Sequence, residues 1–267
     1  MCKRSKPDPL AEVFLRRYRM NLLSLPGNRV RCGSVYVKQG GSLTAPGDLA
    51  DLVEPELQLP PPYMEPNLPE LRGTRSDRVA AQLGFGLLES FLAALGAPGL
   101  LDKLRAGAER QRVRGVSFRF RDAARESLSP TALAAALEGH RFQTANAWIK
   151  DGNRYYVAAA VVRSPSISIR AHDEAANAVD LGAEVATLAS AETAVSVERS
   201  QDNELTYRGG EPIGFAVELY ELMWDAESSS LAFATPSGPL PVVGFDDGER
   251  PESVFVGEDD EAIAKVD

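Results

Sequence analysis

Cysteine and histidine are nearly missing from this 267-residue chain: two of each occur, Cys2 and Cys32, His140 and His172. Two thiols cannot make a disulfide framework. Two imidazoles leave the commonest general base scarce, and neither lies in a metal-ligand pattern. No CxxC, HExxH or Walker loop occurs, so the motifs of zinc sites, zincins and P-loop enzymes are absent. Gly84-Phe85-Gly86 falls within a helical pattern and is weak evidence for nucleotide binding. Acidic residues are plentiful but follow no catalytic spacing, and the chain reads as a non-enzyme with no cofactor and no metal. No window approaches the ~18 consecutive apolar residues of a transmembrane helix. Met1-Cys2-Lys3-Arg4-Ser5-Lys6 is basic, but Pro7-Asp8-Pro9 stands where a signal peptide or lipobox needs an apolar stretch. The expectation is a cytoplasmic resting protein.

What is present is ordinary in bulk and uneven in distribution. Apolar residues make up 44% and charged residues 25%, enough for one large domain with a sizeable core. The net charge of −9 divides into +7 over residues 1–150 and −16 over residues 151–267. Such an asymmetry points to a surface partner on the basic side, or to uneven scatter over a folded surface.

Periodicity and turn chemistry predict an α+β chain. Helices are expected at 9–19, from Pro46 and Asp48 to 53, at 77–95 behind the N-cap Ser76, at 99–111, and from Ser129-Pro130 to 138. Pro60, Pro61, Pro62, Pro66 and Pro69 impose an extended crossing. Strands are expected at 30–37, 113–121, 145–149, 155–163, 166–171, 193–199, 204–208 and 213–220, with Asp151-Gly152-Asn153 as a hairpin turn. The first would make Cys32 a buried structural thiol, and the second puts Val116, Phe118 and Phe120 on one face. Residues 226–248 have linker composition.

Two stretches carry more than one meaning. Over 173–198, Leu181, Val185 and Leu188 make a helical stripe. The odd positions Val179, Leu181, Ala183, Val185, Thr187, Ala189, Ala191, Thr193, Val195 and Val197 also alternate with mostly polar even ones. That second pattern is the signature of a membrane-spanning β-strand. Over 102–125, Lys103, Arg105, Arg110, Arg112, Arg114, Arg119, Arg121 and Arg125 outnumber Asp102, Glu109 and Asp122. Arginines interleaved with Val116, Phe118 and Phe120 suit anionic head groups, at about 1 kcal/mol per basic residue. Nucleic acid is the weaker reading for a chain of pI ≈ 5.0, and a solvated sheet face is the plain alternative.

The C-terminal end is acidic. From residue 242 onward it holds nine acids against Arg250 and Lys265, around the apolar cluster Val254-Phe255-Val256. Side chains of that kind contribute about 1.5–3 kcal/mol each when buried. At the other end, Cys2 reads on its own as a frayed, unmodified terminus, though Lys3, Arg4 and Lys6 beside it form the basic cluster that a single lipid chain needs for stable anchoring.

Taken in order, these pieces resemble the bacterial gasdermins. The resemblance rests on Met1-Cys2, on Phe14-Leu15-Arg16-Arg17-Tyr18-Arg19 leading to Leu25-Pro26, on Gly47-Asp48-Leu49-Ala50-Asp51-Leu52 and on Gly73-Thr74-Arg75-Ser76-Asp77. It continues through Tyr155-Tyr156-Val157-Ala158-Ala159-Ala160-Val161-Val162-Arg163-Ser164 and Leu205-Thr206-Tyr207-Arg208-Gly209-Gly210, and ends on the short extra tail. It implies a central twisted, mostly antiparallel sheet with surrounding helices over 1–235, a protease-sensitive linker over 236–250 and an autoinhibitory peptide over 251–267. It also implies a palmitoyl group on Cys2 and cleavage by a caspase-like or trypsin-like protease. Asp246 and Asp247 suit the former; Arg250 suits the latter poorly because Pro251 follows. The freed domain is then expected to leave its latent monomeric state, bind anionic lipid of the inner membrane through Lys3, Arg4, Lys6, Arg110, Arg112, Arg114, Arg119 and Arg121, and form a homo-oligomeric pore that kills an infected cell. Val254, Phe255 and Val256 are the expected inhibitory contacts. The alternative is a soluble scaffold protein whose acidic tail binds a basic partner.

Overall fold

The computed structural model describes residues 20–27, 29–39, 42–66, 68, 71–75, 91–94, 100–150, 152–173, 175, 177–180, 196–200, 202–225 and 230–234. The expected helix at 9–19, most of the one at 77–95, the two-pattern stretch over 181–195 and the whole tail lie outside them. So do Cys2, Lys3, Arg4, Lys6, Asp246, Asp247, Val254, Phe255 and Val256.

Two long antiparallel strands form the axis of the molecule, β10 (Arg154–His172) and β13 (Leu205–Asp225). Each runs about three times the usual strand length of 5–6 residues. Tyr155 to Val162 are buried without interruption, because this part of β10 has apolar neighbours on both faces. Shorter strands complete a twelve-stranded antiparallel sheet. On the free edge of β10 lie β2 (Ser34–Gln39), β8 (Ala124–Ser127) and β7 (Gly115–Arg121) in succession. These carry β3 (Ser42–Asp48), β5 (Tyr63–Glu65) and β6 (Leu71–Arg75) outward. On the free edge of β13 lie β1 (Asn21–Gly27), β12 (Ser196–Arg199) and β14 (Ser230–Ala234), while β11 (Ala178–Val179) returns on the end of β10. A separate pair joins β4 (Val53–Glu54) to β9 (Arg141–Phe142).

Among the described residues helix is confined to α1 (Leu49–Leu52), residues 91–94, α2 (Leu100–Arg110) and α3 (Pro130–Leu137), so the sheet dominates. The helix expected at Ser129-Pro130 is present: the Ser129 hydroxyl accepts from the Ala132 N–H at 3.4 Å and Pro130 takes the first turn.

The structure corrects several local expectations. The segments 155–163 and 166–171 are one strand, and so are 204–208 and 213–220. Pro165 and Pro212 lack the N–H of a ladder residue, but the break is absorbed as a bulge: Ser164 pairs Ile213 and Ser166 pairs Arg208. The first strand begins at Ser34 rather than 30, since Gly33 turns the chain at φ +90°. Cys32 sits on that turn, half-buried. Residues 145–149 form turns, with the Asn146 side chain accepting from the Trp148 N–H at 3.0 Å, so the turn at Gly152 opens β10 and joins no hairpin. Within the stretch that reads as linker, Ser230–Ala234 is strand, paired along Glu221–Asp225.

Three apolar clusters follow from this layout. One lies under β7, the C-terminal half of β10 and β13, around Phe91, Phe118, Phe120, Ile167, Ile169, Tyr207 and Phe215. A second packs α1 and α3 on β2 and the start of β10. The third covers the opposite face of the central ribbon, with Leu23, Tyr36, Tyr156 and Val217, and no described helix contributes to it.

Candidate membrane-active sheet

Beyond the bulge at Pro165 the sheet runs β6, β7, β10, β13, β12, and strict alternation gives it two unlike faces. Val116, Phe118 and Phe120 of β7, Ile167, Ile169 and Ala171 of β10, and Leu205 and Tyr207 of β13 are all buried on one face. Phe120 stacks on Phe215, with ring centroids 3.9 Å apart and planes within 5°. The register sets Ser117, Arg119 and Arg121 beside Arg170, Ser168 and Ser166, and the last two beside Thr206 and Arg208. That second face is polar. The apolar one packs against Phe91, Leu92 and Ala108 of the described helical residues.

The polar face is organised by an acid that sequence reasoning gave no role. Glu204, just before β13, is 6% exposed. Its carboxylate accepts from Arg121 Nη2 at 2.6 Å and lies 3.6 Å from Arg119 Nη2. Arg121 Nε also donates to Ser168 Oγ at 3.2 Å, and the Ser168 and Thr206 hydroxyls are 2.7 Å apart. Burial pushes the Glu204 carboxyl up, but the Arg121 hydrogen bond, the Arg119 charge and the Ser168 hydroxyl outweigh it and hold the group below its ordinary range. The sequence carried only the need for such a partner. Arg119 and Arg121, two apart on one strand, share a face and need an acid when half-buried.

The predicted basic stripe therefore divides. Arg119 and Arg121 are tied to Glu204 on the polar face. Arg110, Arg112 and Arg114 are exposed where α2 turns into β7, with Arg112 at φ +53° and the Arg114 N–H donating to the His172 carbonyl at 2.8 Å. Arg110 Nε donates to the Ala106 carbonyl at 3.2 Å. Around the same corner, Gln111 Nε2 donates to the Asp180 carbonyl at 2.6 Å, and Arg199 of β12 pairs with the Asp180 carboxylate at 2.5 Å. Arg208 pairs with Asp122 at 2.6 Å and Arg170 with Asp202 at 3.4 Å. Ser117 Oγ lies 2.7 Å from His172 Nε2.

The ends of the two-pattern stretch fall in phase with this sheet. Val179 of β11 and Val197 of β12 pack against the apolar cluster, whereas Ser196 and Glu198 pair with Arg208 and Thr206. The odd positions face the core at both ends, as the strand-type alternation requires.

Nothing among the described residues groups three or more His, Cys, Asp or Glu side chains in reach of a metal ion. Burial pushes the Cys32 thiol up to about 11, and its Sγ lies 3.7 Å from the Ala159 carbonyl, so it stays protonated at neutral pH. No described helix is long and apolar enough to cross a membrane, a test that does not bear on strands.

Residues 20–230 match the family model described as the Bacterial Gasdermin Family. A protein named gasdermin bGSDM from Vitiosangium sp. is 23% identical over 221 residues, covering 80% of this chain and 81% of the relative. One of the same name from Gillisia limnaea is 23% identical over 220 residues, covering 79% and 80%. The solved structure of a bacterial gasdermin from Bradyrhizobium tropiciagri shares the fold, with a TM-score of 0.62 at 16% identity over 91% of this chain and 96% of that one.

Proposed function

The chain belongs to the bacterial gasdermin family, and on that premise we propose that it is a latent pore-forming protein, switched on when its C-terminal tail is cut. The observation that carries this reading is the two-faced sheet beyond Pro165. A soluble domain needs an apolar face and a polar face, but it has no use for the further alternation that the sequence carries between Val179 and Val197, the two described ends of which fall in phase with the sheet. A β-barrel in a membrane needs that alternation: apolar side chains outward to lipid and polar ones toward the lumen.

The remaining parts of the reading follow from charge and burial. Removing residues 242–267 takes away a net −7 and leaves the remainder at −2, which eases approach to an anionic surface. Val254, Phe255 and Val256 are the tail's grip on the domain. Contacts of this size hold a tethered peptide and release a severed one. Cleavage within 236–250 by a caspase-like or trypsin-like protease then frees residues 1–235. Exposed Arg110, Arg112 and Arg114, with Lys3, Arg4 and Lys6, meet lipid head groups, and a palmitoyl chain on Cys2 supplies the second anchoring signal. Copies assemble on the inner membrane, and the pore kills the infected cell as a defence against phage. Before cleavage the protein is a cytoplasmic monomer.

The test uses the full chain with a site for a sequence-specific protease placed in 236–250. Dye-loaded vesicles containing anionic lipid stay tight with intact protein and leak after the cut. If every cut form leaves the vesicles tight, the proposal fails. Loss of binding to a basic partner on tail removal, with no membrane activity gained, would establish the scaffold alternative instead. Cys2→Ala is expected to weaken killing and leave the fold unchanged; equal toxicity would remove the acyl role.

A further inference from the structure

Strand direction shows which edges of this sheet can meet between copies. Going across it, β6, β10 and β12 run one way and β7 and β13 the other, because every pairing is antiparallel. Among the described residues β6 pairs with β7 alone and β12 pairs with β13 alone, so of the described strands these two are the outer ones of the amphipathic sheet. They are mismatched. A second copy adding its β6 to β12 would make a parallel ladder, whereas membrane-spanning single-sheet barrels close with antiparallel ones. Were β12 gone, the exposed edge would be Leu205–Arg208 of β13, which runs opposite to β6. The register sets Arg72 and Thr74 opposite Arg119 and Ser117, at positions of the polar row, and Leu71, Gly73 and Arg75 opposite Phe120, Phe118 and Val116.

β12 has the features of a removable edge. It is four residues long, Ser196, Glu198 and Arg199 are exposed, and only Val197 reaches the apolar cluster. Its charged Glu198 and Arg199 hinder pairing with a further strand, a common protection of open edges. Besides its ladder with β13 and the Val197 contact, it is held by the exposed Arg199–Asp180 pair, which a switch can break at little cost.

We propose that β12 is a guard strand: it occupies the edge of β13 that receives β6 of a second copy of this chain, and assembly requires it to leave that edge, so that the alternating stretch it ends joins the barrel elsewhere than beside Leu205–Arg208. The inference deepens the pore-forming reading and rests on it, since it names the surface by which copies join. Two measurements test it with the full chain carrying the inserted protease site. In the first, Glu198→Cys and Thr206→Cys, at paired positions across β12 and β13, are oxidised to fasten the guard strand; a cross-strand pair meets the separation a disulfide requires. After the tail is cut, the oxidised form is expected to bind vesicles and release no dye, and reductant to restore release. Equal release from the oxidised and reduced forms would overturn the guard role. In the second, one copy carries Arg72→Cys or Thr74→Cys and another carries Thr206→Cys or Arg208→Cys. At least one combination is expected to cross-link on vesicles after the cut and none before it. Absence of every cross-link from preparations that do release dye would overturn this interface while leaving the pore-forming reading intact. Absence of dye release from the cut, unsubstituted chain would overturn both.

Discussion

Replacing Glu204 by glutamine isolates what the buried acid contributes to the latent fold. Glutamine keeps the shape and removes the charge. Arg121, at 2.6 Å, loses a charge-assisted hydrogen bond, and Arg119, at 3.6 Å, loses its counter-charge. A hydrogen bond to a charged group contributes about 1.5–3 kcal/mol. The side chains of Arg119 and Arg121 are 27% and 36% exposed, so water screens part of that, and the lower end of the range applies. The expected loss is about 1.5–2 kcal/mol at pH 7, which for a domain of this size lowers the Tm by roughly 3–8 °C. The pH dependence gives the sign. The Glu204 carboxyl is held below its ordinary value of 4.5 when folded, so its stabilisation is complete above that value and is lost as pH falls through the folded one. Thermal unfolding followed by circular dichroism at pH 7 and again below 4.5 reads both effects. The gap between parent and variant should be full at pH 7 and close on acidification. Glu211→Gln, an exposed acid on the same strand, is the control and should move stability by less than about 0.5 kcal/mol. An unchanged Tm for Glu204→Gln at pH 7, or a gap that persists at acid pH, would refute the reasoning.

Three further substitutions probe the frame. Phe120→Ala removes a ring that is 1% exposed and stacked on Phe215, and should cost about 3–5 kcal/mol in chemical denaturation. Gly33→Ala places a Cβ at φ +90°, 2.3 Å from Leu59 Cδ1. Leu59 can shift but the backbone cannot, so a loss of about 1–2 kcal/mol is expected, and a neutral result would mean the turn tolerates another path. Ser129→Ala removes a helix cap that is long, at 3.4 Å, and exposed, so the same measurement should show only about 0.5 kcal/mol.

Local chemistry was legible in the sequence wherever one residue type decides the outcome. Ser129-Pro130 marked the start of α3, and the Val116, Phe118, Phe120 alternation marked β7 and its buried side. Strand continuity was not legible. Pro165 and Pro212 end strands by every local rule, yet each lies where its partner strand also gives way, and a bulge shared by two strands costs less than ending both. The short β14 escaped for a related reason. Ser230–Ala234 has too few residues to show a period, and only the already formed edge of β13 makes it a strand. Of the candidate site, the basic residues were legible and their partner was not. Glu204 becomes their counter-ion because β13 lies beside β10 and β10 beside β7, a proximity across more than eighty residues of sequence that no local pattern records.

The energetics of a switch built on this sheet differ from those of unfolding. The side chains Phe118, Phe120, Ile167 and Ile169 are buried under described helical residues in the latent state. Moving that face against acyl chains exchanges one apolar neighbour for another, since lipid tails are as apolar as leucine, so the burial term of the face itself changes little. What remains to be broken is local: the Arg199–Asp180 pair, the Gln111 contact with the Asp180 carbonyl and the short β12 ladder. The two side-chain contacts are exposed and contribute about 0–1 kcal/mol each, and the ladder adds a few backbone hydrogen bonds at about 0.5–1.5 kcal/mol each. On the proposed function, a tail gripping through three apolar side chains adds about 1.5–3 kcal/mol for each of them while it stays attached. The Glu204 cluster sits on the opposite, polar face, and nothing in moving the apolar face into lipid requires it to open. It follows that Glu204→Gln should lower stability without by itself triggering release, whereas fastening β12 should leave stability intact and block release. On the proposed function, stability and latency reside in different contacts of the same sheet, and the two variants separate them.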